Sequence, residues 1–250
     1  MRAFLHDLLN ASGEVIHHYY HGRNFSVEQK ENLTPVTIAD QEAEQCMRKL
    51  INHRYPDHGI IGEEFGTENT DAEYVWVLDP IDGTIAFIHG VPLFVTLIAL
   101  LHRGQPILGG INQPIAKLRC EGDNEQAWLN GERVYARLPQ GVDKATLLAT
   151  DIANIANFHN GQGFKDLFDK ASLFRTWGDG FGYILLASGK ADIMLDAKMA
   201  PWDILPVIPV VRGSGAKITT FSGGDPVFGT SAVSAHPSIH DDVMKILHPK

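Results

Sequence analysis

The sequence is poor in cysteine and in long apolar runs, and each shortage excludes a class of protein. Cys46 and Cys120 are the only cysteines among 250 residues, so a disulfide framework is excluded and a reducing compartment is favoured. No apolar run approaches the ~20 residues of a membrane span. The N-terminal stretch MRAFLHDLL is too polar for a signal peptide. We therefore expect a cytoplasmic protein without a membrane partner.

Positive charge is also scarce. The chain has 21 Lys and Arg residues against 30 Asp and Glu residues, for a net charge of −9. No stripe rich in Lys or Arg is present to neutralise a phosphate backbone, which argues against a nucleic-acid partner. An acidic protein that handles a phosphate needs another source of positive charge.

Periodicity divides the chain into two parts. Apolar spacing predicts helices over 3–21 and 39–54, followed by short strands at 59–62, 74–78, 94–101, 107–113 and 125–135. Asn130-Gly131 in the last of these is a hairpin signal. We expect an α+β part with an antiparallel sheet over 1–140 and a layered α/β part over 141–250.

The stretch VWVLDPIDGT (75–84) places two acidic residues directly after an apolar run. Pro80 keeps Asp79 extended at the end of a strand, and Gly83 permits an unusual backbone angle before a helix near Thr84. A turn in which Asp79 caps backbone donors and Asp82 is solvated is the simpler interpretation.

The other interpretation is a binding site. Asp79, Asp82 and the Ile81 carbonyl converge on a point that suits a hard divalent cation, while N–H groups at Gly83 and Thr84 suit a phosphate.

Two further acidic sites favour the binding site. IIGEE (60–64) ends an apolar strand in Glu63 and Glu64, and APWDILP (200–206) puts Asp203 at a helix start. Alone, a Glu pair is usually solvated and a helix-start Asp is usually a cap. Three such sites in one chain are more specific than any one of them.

These motifs resemble the inositol monophosphatase family, Mg²⁺-dependent and lithium-sensitive phosphatases. The resemblance covers nearly the whole chain, and it implies a layered α-β-α-β-α sandwich of the inositol monophosphatase/fructose-bisphosphatase type. The family usually has two adjacent glycines where this chain reads RGSGAK (212–217), a departure expected to loosen packing near 213–217. The matching motifs are PVTIADQEAE (35–44), IIGEE (60–64), WVLDPIDGTIAFIHGVPLF (76–94), GGINQPI (109–115), AWLNGERV (127–134) and PWDILPVIPVVRGSGAKIT (201–219).

The resemblance implies that residues 1–140 carry most metal ligands and that residues 141–250 carry Asp203 and substrate specificity. It also implies that the site holds two or three Mg²⁺ ions per subunit in a homodimer. Glu63, Asp79 and the Ile81 carbonyl would hold one ion, and Asp79, Asp82 and Asp203 a second. Ions ~3.5–4 Å apart would stabilise both oxygens of an in-line displacement.

A metal-bound water would then be the nucleophile. Asp40, Glu63 and Thr84 are the implied catalytic residues, with Asp40 and Thr84 orienting and deprotonating the water. For Asp40, a helix N-cap is the alternative, and both roles can hold. Lys30 matches the family's lid segment, or is simply a solvated lysine. The implied phosphate and substrate contacts are Asp82, Gly83, Thr84, Arg175, Asp179 and Asp203.

The segment FRTWGDGFGYILLASGKADIMLD (174–196) is similar to the histidinol-phosphatase branch of the family. An ammonium- and imidazole-bearing phosphate ester would find a partner in Asp179, whereas inositol offers hydroxyls. Arg175 would contact this ligand or brace its loop. Alternatively Asp179 caps a helix near Gly180. The aromatic residues nearby, Trp177, Phe181 and Tyr183, are predicted to be core.

Histidinol-phosphate phosphatase is therefore the preferred hypothesis, with a small phosphorylated metabolite as the partner. An inositol-1-monophosphatase or broad sugar-phosphate phosphatase is the alternative, and a non-catalytic metal- or phosphate-binding protein is the different-class alternative. The histidines, including His236 and His240, lack a zinc-binding pattern and are expected to be mainly solvated helix residues.

Overall fold

Two sheets form the framework of the chain. The computed structural model describes residues 1–22, 27–29 and 35–249, so the predicted lid residue Lys30 lies outside the described residues. The strands of the first sheet all precede residue 140 and those of the second follow it. The strands are β1 (Val27–Gln29), β2 (Pro35–Thr37), β3 (Gly59–Gly62), β4 (Gly66–Glu68), β5 (Tyr74–Asp82), β6 (Val95–His102), β7 (Gln105–Gln113), β8 (Leu118–Gly122), β9 (Ala127–Leu129), β10 (Glu132–Arg133), β11 (Thr146–Ala149), β12 (Leu173–Arg175), β13 (Ile193–Asp196), β14 (Lys217–Thr219) and β15 (Ala232–Ala235).

The first sheet has eight strands in the order β10-β9-β8-β7-β6-β5-β3-β4 and is antiparallel except where β3 runs parallel to β5. The second sheet has five strands in the order β12-β11-β13-β15-β14 and is mixed. Strands β1 and β2 form a separate antiparallel pair. The Asn130-Gly131 hairpin is confirmed: both residues adopt positive φ, 51° and 86°, as a tight hairpin turn between β9 and β10 requires.

Helices cover both faces of each sheet. They are α1 (Arg2–Gly22), α2 (Ile38–Arg54), α3 (Thr84–Ile88), α4 (Ile152–Phe158), α5 (Gly161–Lys170), α6 (Asp179–Ala187), α7 (Pro201–Gly213) and α8 (Pro237–Leu247). Helices α1 and α2 pack on one face of the first sheet, α6 and α7 lie between the sheets, and α5 and α8 pack on the outer side of the second. The layers therefore follow the α-β-α-β-α order, and the fold class is confirmed.

Strand alternation explains the layering around β5. Val75 and Val77 point into the core shared with α6 and α7, while Trp76 and Leu78 point into the core shared with α1 and α2. A strand buried on both faces reads as a continuous apolar run. No helix among the described residues is long and apolar enough to cross a membrane.

Three expectations need correction. β5 extends through Pro80 to Asp82 rather than ending near residue 78, because a bulge between Asp79 and Asp82 accommodates the proline. Packing near RGSGAK is close rather than loose: Gly213 lies against the Gln126 carbonyl, and the buried Ser214 hydroxyl donates to Val211 O at 2.7 Å. His240 is buried rather than solvated, with Nε2 3.1 Å from the Thr219 hydroxyl.

Candidate active site

Carboxylates from distant segments meet at the end of β5. Asp79 lies on the strand, Asp82 ends it, and Asp203 lies in the first turn of α7. One oxygen from each of the three lies within 4.8 Å of the others. The structure therefore brings together the three acidic residues expected to share one ion.

Asp203 is both a cap and a member of this cluster. Its Oδ2 accepts the N–H of Ala200 at 2.7 Å, which satisfies a donor at the start of α7. The positive end of the helix dipole also favours a carboxylate at this position. The two interpretations of Asp203 are thus compatible.

Glu63 follows β3, the parallel neighbour of β5. The Glu63 N–H donates to Leu78 O at 3.2 Å, so Glu63 lies beside Asp79 of β5, directly after the end of β3. Burial raises the pKa values of Asp79, Asp40 and Asp203, and repulsion from the Glu63 carboxylate raises them further. Glu63 therefore belongs to the same acidic group.

Buried Glu44 holds the turn after Glu63. Its carboxylate accepts N–H bonds from Glu64 at 2.8 Å and Phe65 at 3.2 Å, and it pairs with Arg48 at 2.8 Å. Glu44 is one turn of α2 beyond Asp40, so one helix carries both a site residue and the brace of the Glu63 turn. The sequence did not reveal the role of Glu44, because the pattern of a helix does not distinguish a buried glutamate from a solvated one.

Asp40 lies in the first turn of α2 but is not its N-cap. Thr37 is the N-cap, and both its N–H, at 2.8 Å, and its hydroxyl donate to Asp40 Oδ2. Among the described residues, Asp40 Oδ1 is buried and accepts no hydrogen bond. Burial raises the pKa of Asp40 to about 6, against the lowering effect of the Thr37 bonds.

The bulge of β5 presents the Ile81 carbonyl. Thr84 Oγ1 donates to Ile81 O at 3.1 Å, so two residues predicted to act together are in contact. Gly83 makes the connection to α3 with φ 87°, a left-handed angle that favours glycine. A side chain at Gly83 would also meet the carboxylate of Asp179.

The second sheet contributes the opposite wall. The Gly180 N–H donates to Asp82 Oδ2, and glycine is required because a Cβ there would lie 2.5 Å from Val95 Cγ2. Asp179 is the first residue of α6, with φ 49° and its N–H bonded to the Thr150 hydroxyl at 2.7 Å. Gly178 holds the N-cap position of α6, so the expectation that Asp179 caps a helix starting at Gly180 is not met.

Asp196 is an acidic residue of the site that the sequence interpretation missed. It ends β13, is 6 % exposed, and accepts a hydrogen bond from the Thr150 hydroxyl. The missed signal was an apolar strand, IMLD, that ends in an aspartate, the same pattern that marked Asp79. A cavity joins it to the cluster, lined by Asp82, Thr150, Asp179, Gly180, Tyr183, Asp196, Lys198, Met199 and Asp203.

Arg175 does not line this cavity. Its side chain is exposed, donates to the Phe174 carbonyl at 2.7 Å, and lies 5.8 Å from the centre of the Trp177 ring. Trp177 is 42 % exposed, so its prediction as a core residue was wrong, whereas Tyr183 is fully buried. Phe181 is half-buried against the core between the sheets.

Four aspartates of the site, Asp79, Asp82, Asp196 and Asp203, keep their protons to a higher pH than free carboxyl groups do. Burial, with repulsion from neighbouring acids, raises the pKa values of Asp79 and Asp82 well above the usual range. Burial raises the pKa of Asp203 to about 7 and that of Asp196 to about 8. Closely spaced buried acids of this kind are typical of functional sites.

The residues present fit a hard divalent cation. Among the described residues, Asp79 Oδ1 is buried and accepts no hydrogen bond, although it belongs to the three-carboxylate cluster. Carboxylate and carbonyl oxygens are the ligands that Mg²⁺ prefers. A cation would offset both the burial and the mutual repulsion that raise the pKa values of these acids.

The fold and this acidic centre define a metal-dependent phosphomonoesterase. The model of the Inositol monophosphatase family matches residues 1–249, and the chain belongs to that family. In structure it is similar to an inositol monophosphatase from Zymomonas mobilis, with a TM-score of 0.84, 29 % identity and coverage of 98 % and 96 % of the two chains.

Curated relatives carry more than one activity in their names. A Histidinol-phosphatase of Chlorobaculum parvum is 35 % identical over 92 % of this chain and 90 % of its own length. Bifunctional phosphatase IMPL2, chloroplastic, of Arabidopsis thaliana is 42 % identical over 86 % of this chain, and the match spans 63 % of that protein. An Inositol-1-monophosphatase of Caulobacter vibrioides is 32 % identical over 88 % of this chain and 90 % of its own length.

Proposed function

We propose that this phosphomonoesterase hydrolyses histidinol phosphate to histidinol and phosphate, a step of histidine biosynthesis. The observation that carries the proposal is the pair Asp179 and Asp196, which add two carboxylates to the cavity beyond the metal cluster. An ammonium or imidazolium group of the substrate alcohol would favour the charged form of these two acids and would form charge-assisted hydrogen bonds with them. Inositol offers hydroxyl groups alone.

The metal proposed for the cluster is Mg²⁺, two or three ions per subunit. Glu63, Asp79, the Ile81 carbonyl, Asp82 and Asp203 would hold it. Bound there, Mg²⁺ neutralises the phosphate and lowers the pKa of water. The Asp79 and Asp82 carboxylates then need no protons to coexist.

Asp40, Glu63 and Thr84 would orient the attacking water and take its proton. Asp40 is suited to this role because burial raises its pKa to about 6 and Oδ1 accepts no hydrogen bond from the described residues. Thr84 offers its hydroxyl beside the Ile81 carbonyl. The N–H groups of Gly83 and Thr84 would contact the phosphate at the start of α3.

Arg175 is proposed as a brace rather than a ligand contact. Its bond to the Phe174 carbonyl and its position beside Trp177 fix the segment that leads to Asp179. Three further proposals rest on the family resemblance and on the composition of the chain: inhibition by lithium, assembly as a homodimer, and a cytoplasmic location.

A substrate panel tests the proposal. The value of kcat/KM is measured with Mg²⁺ for histidinol phosphate, inositol 1-phosphate and adenosine 3′,5′-bisphosphate. We expect a preference for histidinol phosphate greater than about tenfold, or ~1.4 kcal/mol. Asp179→Asn and Asp196→Asn should each lower that preference, whereas Asp241→Asn, an exposed change of the same kind, should not.

The other outcomes point to definite alternatives. Equal turnover of the esters would indicate a broad sugar-phosphate phosphatase, and a preference for inositol 1-phosphate would indicate an inositol-1-monophosphatase. Metal binding without phosphate release from any ester would indicate a non-catalytic binding protein.

A further inference from the structure

The bulge in β5 interrupts the hydrogen-bond ladder at two residues, Pro80 and Ile81. Asp79 pairs with Leu97 and Asp82 with Val95, so Pro80 and Ile81 together face the single residue Thr96. A bulge of this kind interrupts the hydrogen-bond ladder. The buried carbonyls of both residues therefore require partners from outside the ladder.

Two threonine side chains supply those partners separately. Thr96 Oγ1 donates to Pro80 O at 2.9 Å, and Thr84 Oγ1 donates to Ile81 O at 3.1 Å. Thr96 is fully buried. It lies on the same face of β6 as Ile98 and Leu100, which belong to the core shared with α1 and α2. The Pro80 carbonyl is thus bonded within the core, on the opposite side from the acidic cavity.

The Thr96 hydroxyl is itself fixed by α1. Ser12 Oγ lies 3.2 Å from Thr96 Oγ1, and both side chains have no exposed area. Because the Thr96 proton is used on Pro80 O, the Ser12 hydroxyl is the donor between the two. A buried chain, Ser12 to Thr96 to Pro80, therefore joins the first helix to the metal-binding bulge.

We infer that Thr96 is a positioning residue that fixes the Pro80 peptide, so that the following carbonyl, Ile81 O, and the flanking Asp79 and Asp82 carboxylates are held ready for a divalent cation. The inference rests on the proposed metal site. Ser12 supports Thr96 and acts one step further away.

The test compares Thr96→Val with the wild type by titrating the metal-free protein with Mn²⁺ and following free Mn²⁺ by electron paramagnetic resonance. Carboxylate and carbonyl sites accept Mn²⁺ in place of Mg²⁺. We expect the Mn²⁺ dissociation constant to rise about tenfold, as for other losses of outer-sphere support. Thr96→Ser should restore wild-type affinity, and Ser12→Ala should give a smaller rise.

Thr219→Val is the matched control. Thr219 also uses its hydroxyl on a neighbouring side chain, His240, so this change should lower stability without altering Mn²⁺ affinity. If Thr96→Val does not fold, Thr96→Cys is compared with Thr96→Ser instead. These two variants differ only in that one carries a thiol where the other carries a hydroxyl group. Weaker Mn²⁺ binding by the Cys than the Ser variant supports the inference.

Wild-type Mn²⁺ affinity in Thr96→Val, or equal affinities of the Ser and Cys variants, overturns it. A wild-type protein that binds no Mn²⁺ would instead overturn the proposed metal site, so the two failures are distinguishable.

Discussion

The Gly180 N–H donates a hydrogen bond to the carboxylate of Asp82, although the two residues are 98 positions apart. This bond joins the end of a strand in the first sheet to the first turn of α6, beside the second sheet. The acidic site therefore lies where the two parts of the chain meet, and both must fold to complete it.

Replacing Asp82 with Asn should remove turnover while preserving the fold. The amide oxygen can still accept the Gly180 N–H, but the variant loses one charged ligand of the proposed cluster. We expect kcat/KM to fall at least about a hundredfold. The melting temperature of the metal-free variant should equal or exceed that of the metal-free wild type, because the variant has one buried acidic group fewer. Near-normal activity would show that Asp82 does not hold a metal.

Stability of the metal-free protein should fall as pH rises. Burial raises the pKa of Asp40 to about 6, that of Asp203 to about 7 and that of Asp196 to about 8, each from an ordinary value of 3.8. Between about pH 4 and pH 8 the unfolded chain therefore releases protons that the folded chain retains, so the free energy of unfolding decreases.

Differential scanning calorimetry across that range measures the effect. We expect the melting temperature to fall with pH in the presence of a chelator, and to fall less with ~10 mM Mg²⁺, which favours the charged carboxylates. Asp196→Asn should raise the stability of the metal-free protein at about pH 8 and have little effect near pH 4. The control variant Asp241→Asn, at an exposed position, should not raise the stability at either pH. A melting temperature that rises with pH without metal would contradict the account.

Glu44→Gln should weaken both the fold and the proposed metal site. The Glu44 carboxylate accepts hydrogen bonds from the N–H groups of Glu64 and Phe65 and pairs with Arg48. In the Gln variant one of the two oxygens becomes an NH₂ group, which is itself a donor and would face one of these donors without an acceptor. We expect a loss of about 2–4 kcal/mol in urea unfolding and a higher Mg²⁺ concentration for half-maximal activity. Gln45→Ala, an exposed change on the same helix, should alter neither. Unchanged Mg²⁺ dependence in Glu44→Gln would show that the Glu63 turn does not need this brace.

The two cysteines should differ in reactivity. Cys120 is buried, and burial raises the pKa of its thiol to about 12, whereas Cys46 is half-buried on α2. Because the thiolate is the reactive form, Ellman's reagent should modify Cys46 first in the native protein and both thiols in denaturant. Cys46→Ser should leave almost no reactive thiol before unfolding. Rapid modification of Cys120 in the native state would contradict the burial described here.

The sequence indicated that Asp79, Asp82 and Asp203 would lie together because these residues follow local patterns. Asp79 comes directly after an apolar strand, and Asp203 begins a helix, so strand and helix rules place them. The fold class followed from the same motifs. Asp196 followed the strand pattern too and was missed because no motif drew attention to it.

The supporting contacts could not be predicted in the same way. Ser12 meets Thr96 across 84 positions, and neither residue has a local pattern that distinguishes a buried hydroxyl bond from an ordinary core position. Trp177 was wrongly expected in the core because its exposure depends on how the segment before α6 crosses the surface. Such features depend on tertiary packing rather than on periodicity.

The most direct test of the central claim is anomalous X-ray scattering from crystals soaked with Mn²⁺. The account predicts a strong peak coordinated by Asp79, Asp82 and Asp203, with Glu63 and the Ile81 carbonyl beside a neighbouring peak. Peaks elsewhere, with these carboxylates dispersed or bonded to one another instead, would contradict it.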